Sequence, residues 1–339
     1  EIVLEQIILP LAISFFTFQQ ISYLVDAWSS ETRESNFLHY CLFVTFFPQL
    51  IAGPIVRPRE MLPQFAQNSV YRLRAKHLAI GFTIFALGLF KKVVLSDGVA
   101  EYAIPFFDLA ETGVEFTFFE AWCGALAYSF QLYFDFSGYS DMAIGLARMF
   151  GIRLPLNFNS PYKATSIIDF WRRWHMTLSR FLKDFMYIPL GGSHRGRTRH
   201  LISLMITMLL GGLWHGAGWT FILWGSMHGV FIVINHTWRM LIQRANIQIP
   251  KGKTTQFFMR CLTFFVVVVG WVMFRSDTVN GAKNIYFVMF GGNGISLSPW
   301  METKFTVVSE TIQFITINYN GMFQNDIFGI KAVIVLFLM

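Results

Sequence analysis

The chain has 339 residues, of which 54% are hydrophobic, 17% aromatic and 14% charged, with a formal net charge of +7 and a mean hydropathy of +0.47. A soluble domain carries about 25% charged residues, so the apolar surplus excludes a single soluble core. Without alternating ten-residue strands a closed barrel is excluded too. What remains is an all-α polytopic membrane protein, read as one transmembrane domain over residues 1–339.

A full crossing needs about 20 apolar residues. In chain order, spans are expected at 4–24, 38–56, 78–95, 118–138, 201–216, 218–238 and 261–275, with a last one beginning near 330. The opening run from Ile7 to Leu24 lacks a basic start and a small-residue cleavage site, so it reads as a span and not a signal peptide. With no initiator Met, and an apolar run from Ala332 to Met339 at its end, the chain is expected to be part of a longer one. Residues 276–328 mix polar and apolar stretches without a firm assignment, and no internal repeat is visible.

Charge orients these spans. Residues 57–76 carry five basic against one acidic side chain, 139–200 carry ten against three, and 239–260 carry five against none. Residues 25–37 and 96–118 are acidic, the latter with five carboxylates and no base. Basic loops belong on the cytoplasmic side, so the acidic segments face outward. Membrane topology accounts for this charge, and no nucleic-acid partner is expected. Cys41, Cys123 and Cys261 lie in or beside apolar runs without paired spacing, which points to neither a disulfide framework nor a metal site.

The basic region 139–200, punctuated by Pro155, Pro161 and Pro189, is expected to hold an interfacial or re-entrant helix. Ser166 followed by Asp169 marks its start. One face would carry Phe170, Trp174, Leu178 and Phe181, with Arg173, Arg180 and Lys183 around the others, and Gly191-Gly192-Ser193 would end it. The segment after it is too short for a full crossing. From Leu201 to Trp214 the rise is about 21 Å at ~1.5 Å per residue, against a core of about 30 Å. His215 should therefore sit within the outer half of the membrane, just past Gly211-Gly212. Backbone broken at that depth needs protein around it or a wet cavity beside it. Residues 201–238 thus form a helical hairpin with His215 at its turn.

Ionisable groups inside a bilayer are costly and are functional candidates, and imidazole titrates near neutrality. His215 is the first candidate for a catalytic or proton-relay role, weighed against a plain hydrogen-bonded packing contact. His175 follows Arg172, Arg173 and Trp174. It is either an interfacial anchor or a ligand-positioning group beside arginines suited to phosphate. His228 should approach His215 from the next helix, or else cement two helices. His194, His200, His236, His39 and His77 read as solvated. Asp135, Asp141 and Glu120 fall on different faces, and Asp97 with Lys91 and Lys92 reads as a structural ion pair.

Several runs together resemble the membrane-bound O-acyltransferase superfamily. They are Phe47-Pro48-Gln49-Leu50-Ile51-Ala52-Gly53-Pro54-Ile55, Phe134-Asp135-Phe136-Ser137-Gly138-Tyr139-Ser140-Asp141, Leu156-Asn157-Phe158-Asn159-Ser160-Pro161-Tyr162, and the stretch from Asp169 through Phe170-Trp171-Arg172-Arg173-Trp174-His175 to Ser179. Tyr187-Ile188-Pro189-Leu190-Gly191-Gly192 and Leu213-Trp214-His215-Gly216 complete the set. The coverage runs from about residue 10 to 275, and the branch it resembles is the alginate O-acetyltransferase type of bacteria. The family's N-terminal helices have no counterpart here, and residues 276–328 carry no matching motif.

The resemblance implies a helical bundle with re-entrant or interfacial helices around a central tunnel, in the bacterial cytoplasmic (inner) membrane. It implies that His215 is the catalytic histidine and His175 the second characteristic polar residue. The expected activity is O-acetylation of an exported polysaccharide. The acyl thioester donor, acetyl-CoA, would enter near Arg172, Arg173, Trp174, Arg180 and Lys183, with no permanently bound cofactor. A periplasmic or extracellular glycan or acyl-accepting protein would be the partner beyond the lipid bilayer. His175 or Trp174 would help the developing oxyanion. The alternatives are transfer of another group, such as D-alanine from a carrier protein, and a transporter or flippase without chemistry.

Overall fold

The computed structural model describes residues 13–29, 36–250, 252–296 and 317–318, and these are overwhelmingly helical. The first expected span appears from Ile13 onward as α1 (Ile13–Trp28), and the last, near 330, lies outside the described residues. The expected span at 38–56 is not one helix. It begins as α2 (Phe37–Thr45), capped by the Asn36 carboxamide accepting from the Leu38 amide at 2.9 Å. It then breaks at Phe46 into a single 3-10 turn, Phe47–Gln49. Pro48 has no N–H to continue the ladder. Gln49 repairs the gap by donating its side-chain amide to the Phe43 carbonyl at 2.8 Å. A short α3 (Pro58–Phe65) follows.

The next span is longer than its hydropathy predicts. α4 (Ala75–Phe90), a π-helical turn at Lys91–Ser96 and α5 (Asp97–Glu111) run on as one 37-residue helical stretch. The acidic segment expected as an outer loop is thus largely helix. At ~1.5 Å per residue the run is about 55 Å long, well beyond a ~30 Å hydrocarbon layer, so an acidic end is compatible with a crossing. Leu78, Phe82, Leu87, Val93 and Val94 are exposed along it, a band suited to lipid. This stretch and α11 (Lys253–Arg275) are, among the described residues, the two helices long and apolar enough to cross a membrane. The other expected spans lie in the less apolar helices α6 (Phe118–Met149), α9 (Arg197–His215) and α10 (Trp219–Arg244).

The chain divides into two compact units that interleave in sequence. The basic region at 139–200 contributes to both.

The first unit takes residues 1–92, 135–159 and 171–181. Its core gathers Phe43, Met61, Phe65, Ala147 and Ile152. Within it α4 meets the second half of α6 through glycine. A Cβ on Gly81 would fall 2.5 Å from the Gly145 carbonyl oxygen, and one on Gly88 would fall 2.6 Å from that of Gly138. Two ion pairs sit beside this seam, Lys91 to Asp141 at 2.6 Å and Lys92 to Asp135 at 2.7 Å. These two aspartates, expected on different faces, both serve the π-helical turn.

The second unit takes residues 93–134, 160–170 and 182–339. Here α10 packs on α9 and on α11, and α12 (Val279–Met289) packs on α5 and α11. The Glu111 carboxylate closes α5 onto α12 by accepting from the amides of Asp277 and Thr278 at 3.0 and 3.1 Å and from the Thr278 hydroxyl at 2.6 Å. A negative charge at a helix N-terminus suits both the free amides and the helix dipole. A two-residue parallel ladder, Ile295–Ser296 with Ile317–Asn318, is the one departure from all-α structure among the described residues.

Candidate active site

His215 is the last residue of α9. The helix stops because Gly216 takes a fully extended backbone, and a side chain there would strike the Phe221 ring. Gly218 then caps α10. The hairpin closes tightly: a Cβ on Gly212 would overlap the Phe221 carbonyl oxygen, and one on Gly225 would lie 2.5 Å from that of Met208. Gly212, of the pair so conspicuous in the sequence, is therefore first a device for backbone approach.

The His215 imidazole is walled by aromatic rings. Trp214 lies 4.7 Å away between centroids, Trp224 of α10 5.2 Å away at 88°, and Phe274 of α11 5.1 Å away at 85°. The residue as a whole is half-buried, and no described residue hydrogen-bonds to its ring. An imidazole in an apolar cup, with no described residue holding its proton, can accept a proton from a group that reaches it.

His228 is fully buried. Its ring fills the space that Gly270 of α11 leaves, since a Cβ there would come 2.6 Å from Nε2. Phe170, Phe231 and Trp271 surround it. Trp224 touches both imidazoles, at 5.2 Å from His215 and 5.1 Å from His228. The two histidines are thus bridged by an indole, and His228 is built into the helix-packing core.

His175 belongs to the first unit, and its setting corrects the expectation of one amphipathic helix. Ser166 does start a helix, accepting from the Asp169 amide at 3.2 Å, but α7 (Ile167–Trp171) lasts one turn. The chain breaks over Arg172–His175 and resumes as α8 (Met176–Leu182), followed by a π-helical turn at Lys183–Tyr187. The break carries His175 in the left-handed region, φ 42°. A bulky residue holds that conformation only when its surroundings impose it. They do so from both sides, because the Asn159 amide donates to the Arg173 carbonyl and the Met176 amide to the Asn157 carbonyl, each at 2.9 Å. The imidazole is 1% exposed, lies edge-on to Phe136 at 4.7 Å, and has Nδ1 3.0 Å from Asn157 Oδ1.

With this geometry established, comparison with known proteins gives a clear result: the model of the membrane-bound O-acyltransferase family matches residues 11–274. The chain belongs to that family. It is 46% identical over 319 residues to a peptidoglycan O-acetyltransferase of Helicobacter pylori, covering 86% of this chain and 58% of the relative. It is 42% identical over 305 residues to a probable alginate O-acetylase AlgI of Pseudomonas aeruginosa, covering 90% and 56%. A teichoic acid D-alanyltransferase of Bacillus subtilis stands further off, at 27% over 277 residues. The chain spans somewhat under three fifths of the first two relatives. As a member of a membrane-bound family, with apolar helices that reach across a bilayer, it is a membrane protein.

For a membrane-bound O-acyltransferase the basic residues expected around the donor are distributed unevenly. Arg172 and Lys183 are exposed. Arg173 is half-buried and donates from Nη1 to the Asn159 carbonyl at 3.4 Å. Arg180 is engaged by Glu60, with Nη2 to Oε2 at 2.9 Å and Nη1 to Oε1 as a second short contact. Trp174 is 4% exposed and packs edge-on against Phe158 at 5.1 Å. His200 and His236 are not simply solvated. Tyr187 Oη and His200 Nδ1 are 2.5 Å apart, and the two imidazoles meet edge to face at 4.8 Å. Burial raises the Tyr187 pKa, so the phenol keeps its proton at neutral pH. Sequence reasoning did not find Asn157, Trp224 or Phe274. Only Asn157 carried a signal, as a polar residue between apolar neighbours in the run Leu156-Asn157-Phe158.

Proposed function

We propose that this protein is an O-acetyltransferase of the bacterial cytoplasmic membrane, a multi-pass protein that passes an acetyl group from a cytoplasmic thioester, acetyl-CoA, to a hydroxyl of an exported glycan. The observation that carries the reading is the His215 imidazole at the broken end of α9, cupped by three aromatic rings and hydrogen-bonded to no described residue. The O-acetylating relatives at 46% and 42% identity support acetyl as the group transferred. They act, by their names, on different polymers, which supports a glycan acceptor without selecting one.

In this reading His215 takes the proton of the acceptor hydroxyl as its oxygen attacks the thioester carbonyl. The tetrahedral intermediate collapses, the C–S bond breaks, and the departing thiolate recovers the proton from the imidazolium. The products are an ester and free CoA thiol. A positioned base contributes about 10²–10⁴-fold. By the family resemblance, Arg172, Arg173, Arg180 and Lys183 supply positive charge for the donor's phosphates, helped by Trp174, and His175 is a second functional residue of the reaction. An acyl-accepting periplasmic protein between enzyme and glycan fits the same chemistry.

Membrane vesicles given labelled acetyl-CoA and acceptor glycan provide the test. Wild type should move label into base-labile esters. His215→Ala should lose at least a hundredfold of that rate while keeping its expression level and melting behaviour. A variant that transfers label normally removes His215 from the chemistry. A labelled D-alanyl carrier thioester, offered in parallel, tests the second reading that the 27%-identical relatives raise.

A further inference from the structure

We propose that Asn157 is a positioning residue that fixes His175 as the Nδ1–H tautomer, so that the neutral imidazole presents a hydrogen-bond acceptor at Nε2 and not a donor. The assignment comes from the direction of a buried hydrogen-bond chain.

The orientation of the Asn157 carboxamide is set by a group whose polarity is not adjustable. The Thr177 backbone N–H faces one end of the carboxamide at 3.3 Å, and an N–H only donates, so that end is the oxygen. The Thr177 hydroxyl agrees. It accepts from the Ile55 amide at 3.0 Å, and its own proton is therefore directed to the same Asn157 oxygen at 2.9 Å. The other end, Nδ2, donates to the Ser140 hydroxyl at 3.2 Å. Turning the carboxamide over would set NH2 against the Thr177 N–H and leave two buried donors facing each other, a costly arrangement.

With the oxygen fixed, the partner at 3.0 Å follows. His175 Nδ1 must carry a hydrogen to be held there. In a neutral imidazole the second nitrogen is then unprotonated. Turning the ring over would set Cδ2–H in place of Nδ1 against that oxygen and forfeit the bond. Phe136 stands perpendicular to it at 4.7 Å, and the left-handed backbone is pinned by the Asn159-to-Arg173 and Met176-to-Asn157 bonds. Asn157 uses its carbonyl oxygen to hold the break and its carboxamide to set the tautomer, so backbone strain and ring polarity share one origin.

The consequence rests on the acyl-transfer reading above. A neutral His175 receives a hydrogen bond or a proton from a hydroxyl or thiol, and it does not donate to a developing oxyanion. This reverses the polarity expected from the sequence. The choice of an amide over a carboxylate matters as well, since it selects the tautomer without adding a negative charge to the buried site.

The experiment is ¹⁵N NMR on the full chain in detergent micelles with labelled histidine, His175 being assigned by its loss in His175→Gln. Wild type should show a protonated Nδ1 and an unprotonated Nε2. Asn157→Leu should lose that pattern, and Asn157→Asp should keep a protonated Nδ1, because a carboxylate also accepts. In the transfer assay Asn157→Leu should lower kcat about ten- to a hundredfold, as loss of an orienting partner typically does, with the donor KM within about twofold. Asn157→Asp should recover more of kcat than Asn157→Leu. A wild-type spectrum with the proton on Nε2 overturns the proposal and needs no variant to fold. So does an Asn157→Leu protein with unaltered spectrum and kcat. If wild type transfers no acyl group at all, the functional reading fails, and the spectrum alone then decides the tautomer.

Discussion

Among the basic side chains expected at the donor, Arg180 has a structural contact as well. Arg180 and Glu60 form a two-pronged pair with side chains 33% and 31% exposed, a degree of exposure at which such pairs contribute only about 0.5–1 kcal/mol. Arg180→Gln and Glu60→Gln should each lower thermal stability slightly, and the double variant should lose less than the sum, because the two share one contact. Arg172 is exposed. Replacing both Arg172 and Arg173 with Gln should raise the donor's apparent KM about three- to tenfold with kcat little changed, the sign of lost uniform binding. Steady-state kinetics on the two sets decides it, and an unchanged KM for the Arg172/Arg173 variant removes them from the donor site. The sequence marked all these cations alike. Glu60 lies 120 positions before Arg180, and nothing local to either residue announces the pair.

At the level of helices, adjacent glycines in α9 have opposite roles. A Cβ on Gly211 would meet only the flexible end of Leu182, at 3.4 Å, whereas one on Gly212 would enter the backbone of α10 at Phe221. Gly211→Ala should therefore be neutral or stabilise by up to about 1 kcal/mol through helix propensity. Gly212→Ala should force the hairpin apart at a cost of about 1–3 kcal/mol or more and reduce transfer, because it shifts Trp224 against His215. Thermal melts of the pair check this, and equal melts would contradict the close approach. The hairpin itself was legible, since a short apolar run ending in glycines next to another apolar run reads as a turn at depth. The break before His175 was not. Its pattern of Phe170, Trp174, Leu178 and Phe181 is helical on paper. The left-handed residue is held by Asn157 and Asn159, whose bonds are tertiary and leave no periodic trace.

On the scale of the whole protein, the helical class, the membrane setting and the family were all readable from composition and motif, because lipid requires apolar runs and internally satisfied backbone. Where the runs stop was less readable. Hydropathy ended one helix at residue 95, yet helical structure continues through the acidic segment to Glu111, whose carboxylate is needed to cap α12. The topology makes a prediction of its own. In a variant lacking Cys41, Cys123 and Cys261, single cysteines at Glu115 and at Arg195 should react with an impermeant maleimide from opposite sides, Glu115 from outside intact spheroplasts and Arg195 only after lysis. Labelling of both from one side would reject the charge-based orientation. The seam between α4 and α6 has a mechanical meaning as well. Gly81 and Gly88 meet Gly145 and Gly138 two turns apart, like teeth of two racks meshed at a pitch of seven residues. Sliding by a single turn would press side chains into main chain. The ion pairs of Lys91 and Lys92 latch the same interface. Any opening motion of the first unit has to run along some other line.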